Sequence, residues 1–313
     1  MNNKSLPYII AEIGSNFHTI EDCLKCISYA KQVGANAVKF QMATEEELYG
    51  FDAGLSINNY FIKPDWLDKL KNKADSCGID FLCTGFSFEG YSIIDRYVEM
   101  HKLASCENMD PTLHAFLLYT NKPKIISLGG TSNADTIRLS KLFKDHIVYF
   151  MYCVIQYPCY TTQLEKIIFY KSILEGHKVG FSDHSLDYTT IPVSAVLDYG
   201  AVMVEKHFNP LGLDDRPDSG HSLNRDQFKI MVDRINKINY TVYGEHDAIL
   251  KHKRRLIATR DIKKGEALIE SNVGVHRSLK SDASGSSPYT YFDIITGLNF
   301  AKNDFKVGDA IIL

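Results

Sequence analysis

The sequence predicts an α/β chain, a closed (β/α)8 barrel of the TIM type followed by a small β-rich domain. Three observations carry this expectation. Eight short apolar, strand-like runs recur between residues 8 and 207, a segment of helical period separates each run from the next, and beyond residue 255 the pattern changes to short strands with tight turns. Strands that alternate with helices pair in parallel, and eight repeats without a long break favour a closed barrel over an open doubly wound sheet.

The first run is YIIAEI (8–13), and the segment after it sets Cys23, Ile27, Ala30 and Val33 on one helix face before Gly34. NAVKFQ (36–41) comes next, and Leu67, Leu70 and Ala74 mark another helix face before Gly78. The remaining runs are IDFLCT (79–84), MHKLAS (100–105), KIISLG (124–129), IVYFMYC (147–153), HKVGFS (177–182) and AVMVEKH (201–207). Residues 209–223 are polar, rich in turn formers and too irregular for a helix. They are expected to form a solvated loop over the strand ends, where Asp214, Asp215 and His221 could hydrogen-bond a polyol. A last barrel helix is expected over 226–238. The predicted organisation is a barrel at 1–242, a linker at 243–255 that holds the basic stretch HDAILKHKRR, and a small β domain at 256–313 containing the loop DASGSSPY.

Composition bounds the function. With 313 residues, 45% hydrophobic, and a formal net charge of −3, the chain can bury one large core plus a small domain. Acidic and basic residues nearly balance, which argues against a nucleic-acid surface. No run reaches the ~20 apolar residues of a membrane helix, and the N-terminus lacks a signal-peptide pattern. The seven cysteines are an odd number and scattered, so a reduced, cytoplasmic protein is expected.

In such a barrel, chemistry collects where the strands end. The residues there are polar: Glu12, Lys39 and Gln41, Thr84, Lys102 with Ser105 and Glu107, Ser127, Cys153 with Tyr157, Ser182-Asp183-His184, and Glu205 with His207. One inward lysine could simply snorkel to solvent. Two lysines with hydroxyls from several strand ends point instead to an anionic ligand, a phosphate or a carboxylate. A lone histidine beside a strand is usually a hydrogen-bonded rim residue. His184 and His207, however, close neighbouring runs, and parallel strands about 4.8 Å apart would bring both rings to one ion.

These segments match a known pattern. AEIGSN (11–16), AVKFQ (37–41), KLASCEN (102–108), IISLGG (125–130), YPC (157–159), GFSDHS (180–185) and EKHF (205–208) resemble the sialic acid synthase (N-acetylneuraminate synthase) family, which includes legionaminic and pseudaminic acid synthases. IATRDIKKGEALIESNVGVHRS (257–278) resembles the antifreeze-protein-like (SAF) module of these enzymes. The resemblance spans nearly the whole chain, and the order and spacing of the motifs make it specific.

The resemblance implies condensation of phosphoenolpyruvate with an N-acetylated amino sugar, giving a sialic-acid-like nonulosonic acid and inorganic phosphate. It implies His184 and His207 as ligands of a divalent metal, Mn2+ or Mg2+. Lys39, Lys102, Ser105, Ser127 and Ser182 would bind the phosphate and carboxylate of phosphoenolpyruvate. Glu12, Gln41, Tyr157, Asp183 and Glu205 would line the sugar and metal region, with Glu12 and Glu205 as catalytic candidates beside Glu107 at an acid/base position. It further implies a domain-swapped homodimer in which Arg277 of the C-terminal module reaches the sugar. The chain departs from the family pattern at Gly14-Ser15-Asn16-Phe17-His18-Thr19, at residues 216–223 and at Cys153-Val154-Ile155-Gln156-Tyr157-Pro158. These positions would meet the N-acyl and distal groups of the sugar, so N-acetylmannosamine and a diacetamido-trideoxyhexose both stay open. A 6-phosphate would need extra cations, for which Arg216 and Lys206 are the local donors. The alternative to an enzyme is a catalytically idle sugar-binding protein on the same frame.

Overall fold

The computed structural model describes residues 6–51, 54–55, 57–174, 176–241, 254–277, 286, 290–297 and 299–312. Two compact units divide the chain, Met1–Asn239 and Tyr240–Leu313. Residues 243–253 of the expected linker, and the expected loop at 282–289 apart from Ser286, lie outside the described residues.

In the first unit, eight strands alternate with helices. The strands are β1 (Tyr8–Glu12), β2 (Ala37–Met42), β3 (Asp80–Gly85), β4 (His101–Leu103), β5 (Lys124–Ser127), β6 (Val148–Cys153), β7 (Lys178–Asp183) and β8 (Met203–His207). They form one sheet in the order β3-β2-β1-β8-β7-β6-β5-β4, parallel at every ladder. The two end strands, β3 and β4, pack beside each other, so the sheet is barrel-like. The helices behave as their spacing predicts. In α1 (Ile20–Gln32) a Thr19–Asp22 capping box satisfies the free amides of the first turn, and Cys23, Cys26, Ile27 and Ala30 form the buried face. Cys23 and Cys26 are spaced Cys-x-x-Cys, yet burial pushes both thiols well up and all seven cysteines are free. A later helix, Leu67–Cys77, buries Leu67, Leu70 and Ala74 and stops at a left-handed Gly78.

The period of two along each strand builds the barrel's interior in layers. Ile10, Ala37, Leu82, Ile125, Met151 and Met203 form the lower, apolar layer. Two residues further along the same strands stand Glu12, Lys39, Thr84, Ser127, Cys153 and Glu205, which line a cavity above it. Gly180 of β7 belongs to the apolar layer too. A Cβ there would lie 2.5 Å from Met151 Sδ and 2.9 Å from the Met203 carbonyl oxygen, so the methionines fill the space its side chain would need. Residues of the opposite parity face the helices and make the larger core, with Phe40, Phe81, Phe150 and Phe181 among them.

The second unit has a short antiparallel ladder, β9 (Arg254–Ala258) with β10 (Val273–Arg277), and single bridges at Ile257–Ala310, Ile262–Phe305 and Ala267–Phe300. Leu256, Ala258, Ile262, Leu268, Val273, Ile294, Ala301, Phe305 and Ile311 form its core. Strands and turns were expected throughout, but Tyr291–Thr296 is a helix. Its Ile294 is buried in that core, so a single helical turn delivers the apolar contact that a strand was expected to make.

Candidate active site

Strand register brings the polar layer together. Glu12 sits opposite Lys39 on one side and His207 on the other, and Ser182 sits opposite Glu205. Lys39 Nζ lies 2.6 Å from Glu12 Oε2 and 3.7 Å from Glu205 Oε2. Lys102 Nζ donates to both oxygens of Glu205, at 2.8 and 3.0 Å. Gln41 Nε2 donates to Glu12 Oε1 (2.7 Å), and Ser182 Oγ donates to Glu205 Oε1 (3.1 Å). Burial opposes ionisation of both carboxylates. At Glu205 the two lysines outweigh it and hold the group well below the usual range, whereas at Glu12 burial wins and the pKa is raised.

This network floors a cavity of about 420 Å³ that Ser105, Glu107, Ser127, Cys153, Tyr157, His184 and His207 also line. Ser105 Oγ accepts from the Gly129 amide (3.2 Å). Burial raises the Glu107 pKa, and its Oε2 has no hydrogen-bond partner. The cavity therefore holds a carboxyl group biased toward keeping its proton next to ionised neighbours, a combination suited to moving protons.

The His184 and His207 ring centres are 5.6 Å apart. An imidazole nitrogen binds a divalent ion at about 2.1 Å, which puts each ring centre roughly 3 Å from the ion, so these two rings are close enough to share one. Desolvation lowers their pKa values to about 4 and about 3, so both are neutral near pH 7 and carry a free lone pair. His184 Nδ1 donates to the Val154 carbonyl (2.8 Å), leaving Nε2, 3.5 Å from Ser182 Oγ, as the unprotonated atom.

Asp183 does not join the cavity. One step out of phase with Ser182 and His184, it is fully buried on the helix side, paired with Lys206 Nζ at 2.7 Å. Lys206 also donates to the Ser185 carbonyl and is equally buried, so it presents no cation to a ligand. Arg277 ends β10 in the second unit and is exposed.

Sequence reasoning underrated the loop after β8. Asp214 and Asp215 are exposed as expected, but His221 is 6% exposed. Among the described residues, His207, Asp218 and His221 form a cluster able to hold a metal ion, with one donor atom of each within 4.8 Å of the others. Ser15 fixes Asp218 through its amide (2.6 Å) and hydroxyl (2.8 Å), while Asn16 Nδ2 donates to Ser222 Oγ and to the Phe208 carbonyl. The turn after β1 is thus a brace for the β8 loop. The only sequence signal was the Asp-x-x-His spacing of 218 and 221.

Comparison with known proteins places the chain in a family and matches its fold. A family model described as the NeuB family matches residues 26–247. The pseudaminic acid synthase of Campylobacter jejuni is 28% identical over 99% of this chain and 96% of its own. The crystal structure of the N-acetylneuraminic acid (sialic acid) synthetase of Leptospira borgpetersenii, in complex with citrate, superposes with a TM-score of 0.72 at 25% identity, covering 78% of this chain and 90% of that one. That of the spore coat polysaccharide biosynthesis protein SpsE of Bacillus subtilis does so with a TM-score of 0.70 at 25% identity, covering 99% and 95%.

Proposed function

The chain belongs to the NeuB family, and on that premise we propose that it is a phosphoenolpyruvate-dependent nonulosonic acid synthase, joining phosphoenolpyruvate to an N-acetylated amino sugar with release of inorganic phosphate. The observation that carries the reading is the convergence, in one cavity, of Lys39, Lys102 and the Ser105, Ser127 and Ser182 hydroxyls with the His184–His207 pair.

Lys39 and Lys102, with the three hydroxyls, hold the phosphate and carboxylate of the enol phosphate. Glu12 and Glu205 offset both lysines, so the cradle gains net positive charge only when Glu12 is protonated, the state its burial favours, or when a cation is added. His184 and His207 would hold that cation, manganese or magnesium, and it would supply polarisation of the sugar's carbonyl group. Carbon 3 of phosphoenolpyruvate then forms the new bond to the aldehyde carbon, and carbon 2 becomes cationic. Water adds at carbon 2 and loses a proton, and the tetrahedral intermediate expels phosphate by C–O cleavage to leave the 2-keto acid. Glu107, protonated more readily than a solvated carboxylate, exchanges protons with the water and with the new hydroxyl. Gln41, Tyr157, Glu12 and Glu205 line the region where the sugar and metal would sit.

An unphosphorylated sugar is favoured because Lys206, one of the two local cations, is committed to Asp183. The pseudaminic acid synthase relative favours a diacetamido-trideoxyhexose over N-acetylmannosamine. Residues 256–313 act as an antifreeze-protein-like (SAF) module joined by the 243–255 linker to the 1–242 barrel. In a domain-swapped homodimer its Arg277 reaches the sugar in the partner's barrel. Purified protein with manganese, phosphoenolpyruvate and a panel of acetamido sugars should release phosphate with some of them, and NMR of the product identifies which. No release with any sugar of the panel sinks the reading.

A further inference from the structure

We propose that Asp218 and His221 are direct ligands of the metal, adding to the His184–His207 pair at the His207 side, so that the ion can draw on a carboxylate and a third imidazole and takes a transition-metal cation in preference to magnesium. The inference rests on the reading above only for what the ion does during reaction; whether it binds there is a separate matter.

The argument is one of unmet bonding capacity. Asp218 Oδ2 accepts from the amide and the hydroxyl of Ser15, which leaves Oδ1 to face the two rings. His221 Nε2 lies 3.2 Å from Oδ1 and His207 Nδ1 lies 3.9 Å from it. Neither nitrogen has an aligned hydrogen bond, although both residues are more than nine-tenths buried. A buried polar atom without a partner is costly, so the arrangement calls for a ligand. The separations identify it. Direct N–H···O bonds run about 2.7–3.2 Å, whereas two donors that each sit about 2.1 Å from one ion are roughly 3–4 Å apart. The 3.9 Å separation is too long for a direct hydrogen bond, the 3.2 Å one is compatible with either kind, and together they suit donors that share an ion. The His207 and His221 ring centres, 4.6 Å apart, are also within the distance at which two imidazoles share an ion.

The backbone is shaped around the same carboxylate. Gly14 adopts φ +55°, and a Cβ at that position would overlap Asp218 Oδ2, so only glycine lets the Ser15 amide come so close. Imidazole nitrogen suits manganese, iron, cobalt and zinc, whereas magnesium prefers an all-oxygen shell, and this sets the expected selectivity.

The test uses the full chain, stripped of metal with a chelator and titrated with Mn2+ alone, the free ion being read by its electron paramagnetic resonance signal. His221→Phe and Asp218→Asn should each raise the Kd for Mn2+ roughly ten-fold or more, and magnesium should compete poorly with Mn2+ in the unaltered protein. His221→Asn, a smaller polar replacement, serves if the phenylalanine disturbs folding as judged by circular dichroism. The visible spectrum of the Co2+-loaded protein gives a readout of the ligand set, and it should change in both the 218 and 221 variants. An unaltered Kd with an unaltered Co2+ spectrum in either variant overturns the proposal. Weakened Mn2+ binding in these variants, with no sugar in the panel releasing phosphate from the unaltered protein, would sustain this inference while removing the synthase reading. Phosphate release with Kd values unmoved by either substitution would do the reverse.

Discussion

Asp183 and Lys206 show how the parity of a single position decides its task. Each stands between two residues that face the cavity, and each is turned to the helix side, where the two side chains meet at 2.7 Å with no exposure to solvent. Their pairing ties β7 to β8 directly behind His184 and His207. A buried ion pair adds little net stability over an apolar pair, but removing one partner leaves an uncompensated charge. Lys206→Met should therefore destabilise the protein by about 3–5 kcal/mol, seen as a large drop in the urea midpoint. Asp183→Asn with Lys206→Met should recover part of that loss. A midpoint unchanged in the single variant would mean that Asp183 is not held as a buried carboxylate.

At the scale of elements, the strands were legible because parallel strands buried on both faces read as short apolar runs, and a polar residue at the end of such a run has few structural reasons to be there. Glu12, Lys39, Lys102, Ser127, Ser182, Glu205 and both strand-end histidines stood out for that reason, and all of them line the cavity. Asp183 did not, because reading Ser182-Asp183-His184 as one cluster ignores the alternation of side chains. The β8 loop was opaque for a different reason. Residues 209–223 have no period, so nothing in their order says that His221 is buried while Asp215 is exposed; that follows only from the brace that Ser15 and Asn16 supply from 192 residues or more away in sequence. The layered interior carries its own prediction. Gly180→Ala would press a methyl group against Met151 and the Met203 carbonyl, and the backbone atom cannot step aside. The expected cost is roughly 1–3 kcal/mol, as for other overpacked cores, with a lower melting temperature. Because β7 also positions Ser182 and His184, phosphate release should fall as well; a fully stable, fully active variant would show that the layer has slack.

For the whole molecule, the central matter is whether one chain suffices to make a site. The barrel unit carries the lysines, serines and histidines, whereas Arg277 is exposed at the end of β10 in a unit with its own small core. A core of that size is marginal alone, which gives the module reason to pack on a larger surface. The proposed domain swap makes that surface the partner's barrel and makes activity a property of two chains. On that proposal His207→Ala would remove a metal ligand and Arg277→Ala a sugar contact, so each variant alone should be nearly inactive. Mixed and allowed to exchange, they form heterodimers in which one unaltered barrel meets one unaltered module. Random pairing makes half the dimers mixed, each with one intact site of two, so activity should recover to about one quarter of the unaltered enzyme. If each module served its own barrel, every site in the mixture would carry one of the two defects and no activity would return. Phosphate release measured before and after subunit exchange separates the two outcomes, because a site confined to one chain cannot be repaired by another.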